Sequence, residues 1–281
     1  MKQKLLSSLT ILLLVASYSY ANQMNEVAIK LKESSAVVYT IFYDKSGEIL
    51  AYKMATGYFI GEKDECLFVT ALHAVHETDA PKESKSMSIF ISYGLKVDEE
   101  FSLDKPQNFT EIFPSKTNKK YYTIDEDNDL VVFNLKDILK QKPLNSYEDY
   151  VQKTKDFPIV YDYIATMGHV GNSVYFNFSE GKILKIETPY FLSNFSNVSV
   201  SNSGGAIVTS DNVATGLLLV SNKDKDILQI GVSTTMIHPL ILKIRAGLKG
   251  EEKSLKECKP DDKFKGQINE GKPNIQLPIN K

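Results

Sequence analysis

Tryptophan is absent from this chain of 281 residues, arginine occurs once, at Arg245, and cysteine twice, at Cys66 and Cys258. Each shortage excludes something. With one arginine, and lysines scattered among acids to a formal net charge of −2, the chain has no basic face of the kind an electrostatic nucleic-acid binder needs. Two cysteines without a histidine at ligand spacing do not make a zinc site, and no metal or other cofactor is expected. No apolar run reaches the roughly 20 residues that a spanning helix requires. An apolar share of 42% beside 24% charged residues is a globular balance that excludes a mainly disordered chain.

What is present begins with a compartment signal. Lys2 and Lys4 precede an apolar stretch from Leu9 to Ala16, and Ser19-Tyr20-Ala21 offers small residues two positions apart. Residues 1–21 are therefore expected to be a secretory signal peptide cleaved after Ala21, giving a secreted or periplasmic protein with no membrane span once the signal is removed. Export permits a disulfide between Cys66 and Cys258; a bridge and two unbonded thiols both remain open.

Residues 35 to 235 are dominated by short runs of β-branched and aromatic residues between turn-rich stretches, among them 36–43, 55–60, 66–70, 86–91, 130–135, 173–178, 205–208, 215–220 and 228–232. Many short strands with frequent turns indicate an all-β sandwich or barrel. After the last strand, Met236, Ile237, Leu240, Ile241, Ile244 and Leu248 recur at three- and four-residue steps, predicting a C-terminal helix packed on the sheet. From about residue 249 to 281 charge, Gly, Pro and Asn take over, predicting a polar, mobile tail.

Of four histidines, His73 directly follows the strand run Phe68-Val69-Thr70-Ala71. Asp129 opens the run Leu130-Val131-Val132-Phe133, and Ser203 stands in Ser201-Asn202-Ser203-Gly204-Gly205 just before another. A serine hydroxyl is a poor nucleophile at neutral pH. It needs an imidazole to take its proton and a carboxylate to hold that imidazole in the right tautomer. Glycines after the serine let the backbone turn tightly enough for its hydroxyl and amide to face one carbonyl. Asp125 and Asp127 compete with Asp129 for the acid's place, but only Asp129 immediately precedes a strand. The acidic stretch 125–129 lacks the glycine and closing glutamate of a calcium loop and reads as a solvated turn. His76, His169 and His238 read as structural.

These segments resemble the chymotrypsin-like serine peptidases, nearest the bacterial trypsin-like branch of HtrA and glutamyl-endopeptidase enzymes. The resemblance rests on Thr70-Ala71-Leu72-His73, Asp129-Leu130-Val131-Val132 and Asn202-Ser203-Gly204-Gly205. Thr56-Gly57-Tyr58-Phe59-Ile60, Met167-Gly168-His169-Val170-Gly171, Gly216 and Gly231-Val232 support it. It covers roughly residues 30 to 248 and implies a peptidase domain over 22–248 built as two six-stranded antiparallel β-barrels, with a His73, Asp129, Ser203 triad between them. It further implies an oxyanion hole of the Ser201 and Ser203 backbone amides. Position 201 departs from the family's glycine, so its serine is expected to bear a conformational cost. Asn202, where digestive members carry aspartate, implies no zymogen-style switch. Family spacing would line the substrate pocket with Asn197, Leu218, Leu219 and Val220, favouring a small or apolar residue. The resemblance is expected to stop before any PDZ domain, for which the tail lacks length. The function implied is an exported serine endopeptidase acting on protein or peptide substrates; a silent member kept as a protein-binding module is the alternative, and a non-peptidase β-barrel a third.

Overall fold

The computed structural model describes residues 19–76, 80–94, 109–113, 122–149, 159–169, 176–223 and 226–246. The expected signal peptide up to residue 18 and the tail 249–281 lie outside them, as does Cys258. Helix α1 runs over 19–34 and is followed by thirteen strands among the described residues. In the first half these are β1 (Ser35–Tyr43), β2 (Ile49–Ile60), β3 (Leu67–Ala71), the one-turn helix α2 (Leu72–Val75), β4 (Ser86–Tyr93), β5 (Phe109–Phe113), β6 (Tyr122–Asp125) and β7 (Leu130–Asn134). The second half holds β8 (Tyr163–His169), β9 (Phe176–Glu187), β10 (Tyr190–Ser193), β11 (Ala206–Thr209), β12 (Ala214–Lys223), β13 (Asp226–Ser233) and helix α3 (Thr234–Arg245).

This is a chymotrypsin-like, all-β arrangement of two halves. The second half is the expected six-stranded closed barrel, in the order β10-β13-β12-β11-β8-β9. The first differs from expectation: it is a seven-stranded sheet, β5-β4-β1-β2-β3-β7-β6, curled as a half-barrel rather than closed over six strands. The extra strand is β5, whose Phe109-Thr110-Glu111-Ile112-Phe113 pairs with the outer edge of β4.

Strand periodicity explains how β1 sits. Ala36, Val38 and Phe42 point into the main core, while Val37 and Tyr39 point to the opposite face, where Met54, Phe90 and Phe109 cover them. Thr40 shares the inward side, and its hydroxyl donates to Ala74 O at 2.8 Å, fixing α2 to the sheet. In the barrel, the Phe191 ring lies against Gly216 of β12 and Gly231 of β13. A Cβ at Gly231 would collide with its ring, so the glycine is what lets the aromatic in. The segment Met167-Gly168-His169 is the end of strand β8.

Helix α1 was not legible as such. Its buried stripe Met24, Val27 and Leu31, with Ala28 packed alongside, steps by three and four. The helix is continuous through the Ala21–Asn22 position expected for cleavage. No helix among the described residues is long and apolar enough to cross a membrane. At the other end, Ser233 caps α3 by accepting the Thr235 N–H at 3.2 Å. Arg245, in the last turn, forks onto Glu65 at 2.7 and 2.6 Å and reaches Asp149 at 3.1 Å, which also faces His238 Nδ1 at 2.9 Å. The chain's one guanidinium thus clasps α3 to the β2–β3 turn.

Two outcomes follow from this packing. Leu31→Ala removes a fully buried side chain and is expected to cost about 2–5 kcal/mol in urea-unfolding free energy. The hydrogen bonds from Arg245 hold the Glu65 carboxyl below its ordinary range. That stabilisation is complete above the unfolded value of about 4.3 and is lost as pH falls through the depressed folded value. Arg245→Gln is therefore expected to lower stability at pH 7 and flatten its decline in that acid window, read from midpoints of chemical unfolding across pH.

Candidate active site

The register of β3 against β7 builds the first part of the site. Ala71 pairs with Leu130, so the residues one step beyond, Leu72 and Asp129, face each other where the two strands end. Leu72 N–H donates to Asp129 O at 2.9 Å. The chain then coils once as α2, and the His73 N–H donates to Asp129 Oδ1 at 2.7 Å while Asp129 Oδ2 lies against the ring Nδ1 of the same histidine. One carboxylate thereby grips both the main chain and the ring of His73. Asp129 takes up a left-handed backbone, φ 55°, which aspartate tolerates better than most residues. Its side chain is 4% exposed, against 44% for that of His73: the acid is shielded and the ring open to solvent. Thr40 on Ala74 O and Lys53, whose Nζ donates to His76 O at 3.0 Å and His73 O at 3.4 Å, brace the α2 turn from β1 and β2.

Ser203 stands on the other half, at the end of a 3-10 turn over Val200–Asn202. Thr56 N–H donates to Ser203 O at 3.0 Å, the Thr56 hydroxyl to Ser201 O at 2.9 Å, and the Thr70 hydroxyl to Thr56 O at 2.7 Å. Gly204, at φ 91°, lies so close that a Cβ there would strike Thr56 O and the Thr70 hydroxyl and come within 3.0 Å of Ala71 N. The Ser203–Gly204 step is thus packed onto the strand that leads into His73. The Ser203 side chain is buried; its hydroxyl accepts the Val220 N–H at 3.0 Å and donates to Val220 O at 3.3 Å.

The turn before the serine differs from expectation. Ser201 is its middle residue, and the non-glycine residues at positive φ among those described are Cys66, Asp129, Tyr161 and Asn212, so Ser201 bears no left-handed strain. The Ser203 N–H donates to Val200 O at 3.1 Å. Asn202 is fully buried, and its Oδ1 accepts the Ser199 N–H at 2.8 Å, so it steadies its own turn. Of the expected pocket residues, Leu218 and Val220 pack with Ile164, Phe191 and Ile207 in the barrel's core, Leu219 belongs to the main core, and Asn197 is exposed with its carbonyl taken by Ser179 Oγ at 2.7 Å. Cys66 is buried, its thiol donating to Lys63 O at 3.3 Å, and burial pushes it above the ordinary thiol range; Cys258, its expected partner, lies outside the described residues.

Sequence reasoning missed two residues beside the acid. Asn128 and Tyr190 join the Asp129 turn to the barrel, Tyr190 Oη donating to Asn128 Oδ1 at 2.7 Å. The signal available was an asparagine set between two aspartates, read as a solvated turn; its partner 62 residues away had none.

The fold is similar to a solved structure described as the serine endoprotease from Yersinia pestis, at 15% sequence identity and a TM-score of 0.52, covering 79% of this chain and 67% of that one. At the level of sequence, no family model and no curated protein matches the chain.

Gly204→Ala combines a left-handed backbone with a collision against main-chain atoms. It is expected to cost roughly 2–5 kcal/mol, read as a lowered thermal midpoint, whereas Gly47→Ala, also at positive φ but in open space, is expected to lower it much less.

Proposed function

We propose that this chain is an exported serine endopeptidase, with Ser203 as nucleophile, His73 as general base and then general acid, and Asp129 as the group that orients the imidazole. The observation that carries the reading is the two-point hold of Asp129 on His73. With Nδ1–H donating to the carboxylate, Nε2 is left as the acceptor that a serine proton requires. Ser203 Oγ attacks the peptide carbonyl carbon and gives its proton to His73. The tetrahedral intermediate collapses to the acyl-enzyme as His73 passes the proton to the leaving amine, and water repeats the sequence to release the acid.

Two local bonds must open for this. The Ser203 hydroxyl has to leave Val220, and the Ser203 N–H has to leave Val200 O before it can meet an oxyanion. Those bonds favour a second reading, a silent member of the fold that binds protein segments without cutting them. Net intramolecular hydrogen bonds are worth about 0.5–1.5 kcal/mol each. A single oxyanion donor contributes about 2.7–4 kcal/mol to the transition state, so the chemistry more than offsets the opening.

The test is a fluorophosphonate probe on the purified mature protein beside Ser203→Ala and His73→Ala. Labelling of the wild type, its loss with Ser203→Ala, and a fall of about 10³-fold or more with His73→Ala are expected. A folded wild type that takes up no label supports the binding module instead.

A further inference from the structure

We propose that Tyr190 and Asn128 form a tether across the two halves that positions Asp129, so that the orientation of the catalytic acid on one half is referenced to the barrel that carries the nucleophile. The proposal rests on the peptidase reading for its catalytic consequence, but not for its geometry.

Four residues, 126–129, connect β6 to β7, and Asp129 is the last of them. Asp125 anchors the start: its Oδ1 accepts the Asn128 N–H at 3.2 Å and its Oδ2 the Asn128 Nδ2–H at 2.7 Å. Both donors of that exchange come from Asn128, leaving its Oδ1 as a buried acceptor. Tyr190 supplies the hydrogen, donating to Asn128 Oδ1 at 2.7 Å and lying 3.4 Å from Asp127 O. Tyr190 belongs wholly to the barrel, paired with Glu187 on β9 and Val232 on β13. One residue past Asn128 is Asp129, with both carboxylate oxygens on His73 and its own N–H only 3.4 Å from Glu126 O. The local turn holds Asp129 weakly from behind, and the Tyr190 bond is the described contact that fixes the preceding residue to the second half.

Chemistry fits the role. A phenol is a donor only while protonated, and burial, then the charges of Asp125, Asp127 and Asp129, push the Tyr190 hydroxyl above its ordinary range. It therefore remains a donor throughout the range in which a histidine base works. Among the described residues, Lys53 of β2 reaches His73 O and His76 O, His76 follows the last residue of α2, and Asp125, Glu126 and Asp127 precede Asp129 in its turn.

Tyr190→Phe removes one oxygen and keeps the ring. Without the tether Asp129 is less well aligned, and the imidazolium loses part of its stabilisation. The rate of fluorophosphonate labelling at neutral pH is expected to fall about tenfold. Its acid limb, and the titration midpoint of the His73 ring followed by NMR, are expected to move down by about half a pH unit or more. A variant that labels at the wild-type rate with an unmoved His73 midpoint overturns the tether while leaving the peptidase reading intact. A lower thermal midpoint with an unmoved His73 titration also overturns it, because that is the signature of a structural bond alone. If the wild type itself does not label, the peptidase reading fails, and the His73 titration decides the tether by itself: a downward move supports it and no move overturns it.

Discussion

The grip of one carboxylate on both the main chain and the ring of His73 is the constraint on which the site depends. It follows from strand pairing. Because Ala71 and Leu130 are partners, the next residues on each strand must meet where the strands end, and only an acid at that position can take two donors from the same histidine. Shielding the acid while leaving the ring open strengthens the pair, since fewer waters compete for the carboxylate. A buried carboxylate without such partners would be strongly destabilising, so fold and site share the bond.

The serine side obeys a different logic. Its position is set almost entirely by main-chain contacts: Thr56 on Ser203 and Ser201, Gly204 N–H on Leu218 O at 2.7 Å, and Leu218 N–H on Gly205 O at 2.9 Å. None of these depends on the identity of residue 201. A serine there is accommodated because the turn is 3-10 rather than left-handed, and the amide that would receive an oxyanion is instead turned onto Val200 O.

Much of this was legible. The all-β character, the closed barrel, the C-terminal helix and the pairing of His73 with Asp129 rather than Asp125 or Asp127 all follow from strand runs and from the position of an acid immediately before one of them. Helix α1 was not, because a stripe of only Met24, Val27 and Leu31 is short and adjoins a segment read as a signal. Strand β5 was hidden for a similar reason: its Phe109, Thr110, Glu111, Ile112 and Phe113 include a charge and sit at an edge, where alternation is weakly enforced. Asn128 and Tyr190 were invisible for a deeper reason. Their bond joins residues from different halves, and nothing local in either segment records it.

The composition of the acidic turn shows why position 128 is an amide. Asp125, Glu126, Asp127 and Asp129 crowd four carboxylates into five positions. A fifth carboxylate at 128 could still accept from Tyr190, but it could not donate to Asp125 and would repel it. A residue with no acceptor, such as lysine, could satisfy Asp125 and leave the tyrosine without a partner. Asparagine carries donor and acceptor on one uncharged group. It is the residue type that binds an acid on one side and a phenol on the other, at the position that immediately precedes Asp129.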